Sequence, residues 1–137
     1  MSKILIVEDD HEMREFLRDV VEMMGHEPFE ASTGAEAIAL VAQQVPDLVL
    51  QDIMLPDIDG WETLARLRVM HGLDGLPVVF CSGSVKACEH FNADPILNAS
   101  FLNKPFDIDD LEREINKLLD QLSPRNKPHG MWSGMCI

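Results

Sequence analysis

Five side chains from four separated segments can do chemistry together if the fold brings them to one place: Glu8 and Asp9, Asp52, Ser82 and Lys104. Each stands where an apolar run stops. Ile4 to Val7 stops at Glu8-Asp9, Leu48-Val49-Leu50 leads to Asp52, Pro77 to Cys81 stops at Ser82, and Phe101 to Asn103 stops at Lys104. Three carboxylates in one pocket repel, so a cation must neutralise them or their proton affinity rises. Hard oxygen donors suit Mg²⁺, with Mn²⁺ as the alternative ion. A cation there can also take a phosphoryl oxygen, Lys104 can hold a second as a point charge, and Ser82 can donate a hydrogen bond to a third. Asp52 is then left as the nucleophile, and positioning with charge neutralisation carries most of such a transfer. Taken singly, each residue has a plainer role. Glu8 and Asp9 can favour a helix start, Ser82 can be a loop hydroxyl, and Lys104 a surface lysine. The joint placement is what argues for a site.

The positioning elements follow from periodicity. Lys3 to Val7 is apolar after its first residue, as in a strand covered on both faces. Met13, Phe16, Leu17, Val20, Val21 and Met24 recur at helical spacing, with Asp10 as N-cap and Gly25 as stop. Pro28 to Ala31 is a weak strand whose proline sends it to a sheet edge. Ala35 to Gln44 is helical, with Ile38, Val41 and Ala42 turned inward. The acceptor strand follows and ends in turn chemistry at Pro56, Asp57, Asp59 and Gly60. A third helix turns Trp61, Leu64 and Leu67 inward, with Arg68 at its margin, and runs out near His71-Gly72. Residues 77–81 make a buried strand, 85–92 a poorly patterned helix expected to be the least stable element, and 100–103 a short final strand. From Asp107 the last helix carries Ile108, Leu111, Ile115, Leu118, Leu119 and Leu122 in one stripe.

Strand and helix therefore alternate five times, which implies an α/β fold: a parallel sheet with right-handed crossovers and helices on both faces, a three-layer flavodoxin-like (βα)5 sandwich. The edge-bound second strand favours the order 2-1-3-4-5, whose switch point lies between the first and third strands. Ligands bind at the carboxyl ends of strands beside that point, so Glu8, Asp9 and Asp52 should meet there.

The totals narrow the function class. The chain has 137 residues, the size of one domain, and a net charge of −13. Residues 1–122 hold nine of the Lys and Arg against all 24 acids, a charge of −15. A surface so acidic repels nucleic-acid phosphates and anionic lipid, and no apolar run is long enough to insert in a membrane. The three cysteines, Cys81, Cys88 and Cys136, are odd in number and lack a CxxC pair, which points away from a disulfide framework or zinc site and toward the cytoplasm. Residues 123–137 are rich in Pro, Gly and Ser and have no period; they are expected to be a flexible tail after a domain of residues 1–122. Met131, Trp132 and Met135 allow a docking peptide there.

Taken together, ILIVEDD at 4–10, DLVLQDIMLPDIDG at 47–60, PVVFCSG at 77–83 and FLNKPF at 101–106 resemble the receiver domain of two-component response regulators, over residues 3–122. The resemblance implies that Asp52 accepts a phosphoryl group from a sensor histidine kinase or a histidine phosphotransfer protein. It implies Mg²⁺ held by Asp9, Asp52 and the backbone carbonyl of Met54, with Glu8 acting through water. It implies that Ser82 and Lys104 contact the phosphoryl group, that Phe101 is an aromatic switch, and that Lys104-Pro105 is cis. A single-domain, cytoplasmic signalling switch then follows, not a classical enzyme. Its downstream partner would be read by the face of helix 85–92, strand 100–103 and the last helix, and a phosphorylation-dependent homodimer is compatible with it.

The sequence also departs from that family. Gln51 stands before the acceptor where an apolar residue is usual, Ser82-Gly83 replaces the commoner Thr-Ala, and 93–100 lacks the usual glycine-alanine turn. Other readings remain open at this point. A dehalogenase-like phosphatase or phosphotransferase normally needs a second acid two residues past the nucleophile, and that position is Met54. A flavodoxin-like cofactor binder would meet the acidic, glycine-free loop Glu8 to His11, which repels phosphate. A receiver-like module that binds without being phosphorylated is the third.

Overall fold

A computed structural model describes residues 2–121. It has five strands and five helices in strict alternation: β1 Lys3–Val7, α1 His11–Met23, β2 Glu27–Ala31, α2 Gly34–Gln43, β3 Leu48–Asp52, α3 Gly60–Arg68, β4 Val78–Ser82, α4 Val85–Ala93, β5 Ala99–Asn103 and α5 Ile108–Gln121. The strands form one parallel sheet in the order β2-β1-β3-β4-β5. The proline-bearing β2 lies at the edge, where a missing N–H costs no ladder bond. In the central strands β3 and β4 every residue is buried, as helices on both faces require.

Alternation along the strands splits the core into two. Ile4, Ile6, Leu48, Leu50, Val79, Cys81 and Leu102 face α1 and α5, where they meet Leu17, Val20, Val21, Leu111, Ile115 and Leu118. Leu5, Val7, Val49, Val78, Phe80 and Phe101 face the other three helices, where they meet Val41, Leu64, Leu67 and Phe91. Burial pushes the Cys81 thiol up to about 12, so it stays protonated in the first of these cores.

The helix starts are capped by residues close in sequence. Asp10, Thr33, Asp59 and Ser84 accept from the third residue on, each satisfying a backbone donor that the helix leaves free. Gly25 follows α1 at φ 85°, the left-handed conformation that glycine adopts without cost. The missing glycine before β5 is replaced by Asn98, which takes φ 56° and donates its amide to Gly75 O at 3.0 Å. Asparagine is one of the few side chains that tolerate this region.

Three expectations need correction. Ala42 is exposed, and Ala37 takes the buried place beside Val41. Gly34 sets that phase: it packs so closely that a Cβ would stand 2.5 Å from Ile58. Ile108, the first residue of α5, is 39% exposed, and burial along this helix begins a turn later at Leu111. Arg68 does more than lie at a margin: its guanidinium donates to Leu76 O at 2.6 Å and Leu97 O at 2.7 Å, tying α3 to the loops before β4 and β5. Leu122, the tail over 123–137 and its Met131, Trp132 and Met135 lie outside the described residues.

Candidate functional site

The carboxyl ends of β1, β3, β4 and β5 deliver the site. Parallel register sets Val7 beside Gln51, Asp52 beside Cys81, and Ser82 beside Asn103. The residues that follow these strands therefore emerge along one rim. One carboxylate oxygen from each of Glu8, Asp9 and Asp52 lies within 4.8 Å of the others. Glu8 and Asp52 are buried and Asp9 is exposed, so the group opens to solvent on the Asp9 side. Lys104 Nζ sits 2.9 Å from Glu8 Oε1 and 3.7 Å from Asp52 Oδ1. Its backbone N–H donates to Ser82 O at 2.9 Å, which holds the start of the Lys104 segment against the end of β4, and the Lys104-Pro105 peptide is cis.

The electrostatics are those of a crowded anionic pocket. Burial pushes the Asp52 carboxyl up to about 7, helped by the charge and hydrogen bond of Glu8 and opposed by Lys104 and the Met54 N–H. Burial pulls the Lys104 ammonium down, but its hydrogen bond to Glu8 and the charge of Asp52 outweigh this and raise it. One lysine thus serves two buried acids, and the pocket keeps excess negative charge. A divalent ion matches that need: the donors are hard, anionic and gathered within coordinating range of a common point.

Around the acceptor the backbone is held tightly. Gly60 N donates to Ile53 O at 2.8 Å, and a Cβ on Gly60 would stand 2.3 Å from Asp52 O. No other residue type fits there. Met54 N reaches Asp52 Oδ1 at 3.4 Å, while the Met54 side chain is 69% exposed at the mouth. Ser82 is buried, and its hydroxyl accepts from Ser84 N at 3.1 Å. Phe101 is wholly buried among Phe91, Phe80 and Trp61, with ring centroids at 5.5, 6.4 and 6.5 Å.

The structure therefore brings Glu8, Asp9, Asp52 and Lys104 into one constellation. Ser82 stands at the same rim with its hydroxyl engaged in its own loop, and Phe101 lies on the sheet face beneath.

Gln51, singled out in the sequence as an unusual residue before the acceptor, is fully buried beside Asp52 and donates to Asp52 O at 3.0 Å. Two other roles around the site were not read from the sequence. Arg14 NH1 donates to Glu8 O at 2.8 Å and so pins the loop that carries both acids. Asp57 accepts from Gly34 N at 3.0 Å and Ala35 N at 2.8 Å, clamping the loop after Asp52 onto the start of α2. These bonds hold its carboxyl below the usual range. A lone base in the first turn of α1 and an acid in the turn after Pro56 were the available signals.

A family model described as the response regulator receiver domain matches residues 4–116. This chain belongs to that family. The receiver is 35% identical over 119 residues to the response regulator receiver protein CpdR of Brucella abortus, covering 87% of this chain and 98% of that one. It is 32% identical over 118 residues to the sporulation initiation phosphotransferase F of Bacillus subtilis, covering 86% and 94%. It shares its fold with the receiver domain of a sensor histidine kinase from Pseudomonas aeruginosa, which has a magnesium ion coordinated in its active site cleft. The TM-score is 0.77 at 21% identity, over 87% of this chain and 98% of that one. Among the described residues of the receiver, no helix is long and apolar enough to cross a membrane.

Proposed function

We propose that this receiver takes a phosphoryl group onto the Asp52 carboxylate from the phosphohistidine of a sensor histidine kinase or histidine phosphotransfer protein, and that the new charge alters partner binding at the α4–β5–α5 face. The carrying observation is the gathering of Glu8, Asp9 and Asp52 within 4.8 Å beside Lys104, on a receiver fold. The P–N bond of the donor breaks as a P–O bond to Asp52 forms, and the released imidazole nitrogen takes up a proton.

Asp9, Asp52 and the Met54 carbonyl would hold Mg²⁺, with Glu8 reaching it through water; Mn²⁺ suits the same donors. The ion supplies charge neutralisation at the phosphoryl oxygens. The remaining work is done by the chain's own side chains. Asp52 must be ionised to attack, and relief of the repulsion from Glu8 favours that form. Lys104, released from Glu8 by a short swing, holds a phosphoryl oxygen as a point charge. Ser82 exchanges its bond to Ser84 N for one to the phosphoryl group. Phe101 follows it, and this shift biases α4 and β5 between two arrangements.

The receiver catalyses a step on its own side chain and is not a classical enzyme. The acidic surface supports a protein partner over nucleic acid or membrane. We place the protein in the cytoplasm and the domain at residues 1–122, and a phosphorylation-dependent homodimer is one form the output can take.

The test is incubation with Mg²⁺ and phosphoramidate followed by intact mass. The expected result is a single phosphoryl gain in the wild type and none in Asp52→Asn. An equal gain in the variant, or none in either, refutes the assignment.

A further inference from the structure

Phe101 has no room to move as the structure stands. It is wholly buried, and so are two of its three ring neighbours, Phe80 and Phe91. Close-packed rings of this kind shift only if a neighbour gives way. The third neighbour, Trp61, is half-buried. It stacks on Phe101 at 6.5 Å with planes 30° apart and lies on Phe80 at 4.6 Å. Its outer side is covered by the exposed His90 ring at 4.9 Å. His90 belongs to the last turn of α4, a helix whose buried residues are Ala87 and Phe91, with Cys88 packed beside them on the same core. The backbone just before Trp61 is Gly60, which is seated directly against the Asp52 carbonyl. Trp61 thus touches the acceptor strand's end through its own neighbour, the switch ring through stacking, and α4 through His90.

We propose that Trp61 is the yielding member of this aromatic stack. Phosphorylation at Asp52 moves the Trp61–His90 contact, and through it the last turn of α4, so the signalling surface extends to the edge between α3 and α4. This rests on the acceptor reading above and adds a positioning residue to it. Trp61 acts through Phe101 and His90 and touches no reacting atom. A fixed structural role predicts the opposite: a stack of the same geometry in both states.

The chain has two tryptophans, so Trp132→Phe leaves Trp61 as the sole indole. In that background, Trp61 emission and intact mass are read on the same samples, before and after Mg²⁺ and phosphoramidate. Mass gain is expected to bring a shift of Trp61 emission. His90→Ala is expected to gain mass equally, to start from a shifted emission, and to lose most of the further change. His90→Phe, which keeps a ring over the indole, is expected to restore it. A phosphorylated sample with unchanged Trp61 emission overturns the proposal, as does a full response in His90→Ala. Absence of any mass gain strikes the acceptor reading itself, and this inference falls with it.

Discussion

The two faces of the sheet are built from different materials. The buried side chains of the face under α1 and α5 are mostly aliphatic, and its buried polar pair is well served: Glu114 accepts from the Ser100 hydroxyl and pairs with Lys117 at 2.9 Å. The face under α2, α3 and α4 carries the buried rings of Phe80, Phe91 and Phe101. It also carries Gln51 Oε1 and Arg68 Nε, the two buried side-chain polar atoms among the described residues that have no hydrogen-bond partner. An unsatisfied buried polar atom costs about 1–3 kcal/mol. The first face is therefore a platform with one good packing arrangement. The second holds stored cost and a helix, α4, that buries few side chains, properties that suit an element with two arrangements of similar energy. The acidic rim sits where the two faces meet.

Truncation on the platform side has the largest expected effect. Ile115→Ala removes a wholly buried side chain from the α5 seam and is expected to cost about 3 kcal/mol, read as a lower urea midpoint. Native-state hydrogen exchange sharpens the contrast. The amides of α5 are expected to exchange only with global unfolding, and those of α4 through a local opening of lower free energy. Equal protection in both helices breaks the comparison.

The rim itself gives the second effect. The Asp52 carboxyl titrates near 7 in the folded chain, against 3.8 for the free group. Its proton affinity is raised on folding, so its stabilising contribution is complete below about pH 4 and is lost as pH rises through 7. Asp52→Asn carries no charge to bury. In chelator-treated buffer it is expected to match the wild type near pH 4 and to exceed it by about 2 kcal/mol at pH 8, allowing for solvent screening at the mouth. Added Mg²⁺ is expected to stabilise the wild type more than the variant. A wild type as stable as Asp52→Asn at pH 8 without metal would show that the pocket is not strained.

Much of this contrast was legible before the fold was seen, and the part that was not has a common cause. Asp52, Asp9 and Lys104 could be placed because each ends a strand, and the sheet order follows from one proline at position 28. Local period also marked most of the inward residues of α1 and α5. It could not mark Glu114, an acid within the α5 stripe that is buried because Ser100 meets it from the neighbouring strand. Nor could it mark the tilted ring contact of Trp61 with His90, the clamp of Asp57 on α2, or the two carbonyls bound by Arg68. Each of these joins residues that only the tertiary fold makes neighbours. Ala37 and Ala42 stand about 140° apart around α2, but in an alanine-rich helix both faces carry small apolar residues, so the pattern left the inward face open until the close approach of Gly34 to Ile58 was seen.

The smallest expected effect concerns Gln51, whose burial beside the acceptor is the least economical choice in β3. Its Nε2 donates to Asp52 O, but its Oε1 faces the core without a partner. Gln51→Leu removes both the orphan acceptor and the bond to the carbonyl, and the first outweighs the second because the carbonyl lies at the strand's end near the turn. Stability is expected to rise by about 1 kcal/mol. If the orphan is part of what keeps the second face close to its alternative arrangement, the gain comes from the resting form alone. Phosphorylated Gln51→Leu should then show a smaller shift of Trp61 emission than the wild type at equal mass gain. A stabilised variant with an undiminished shift would mean that the amide is a packing cost unrelated to switching, and the two faces would differ in composition but not in purpose.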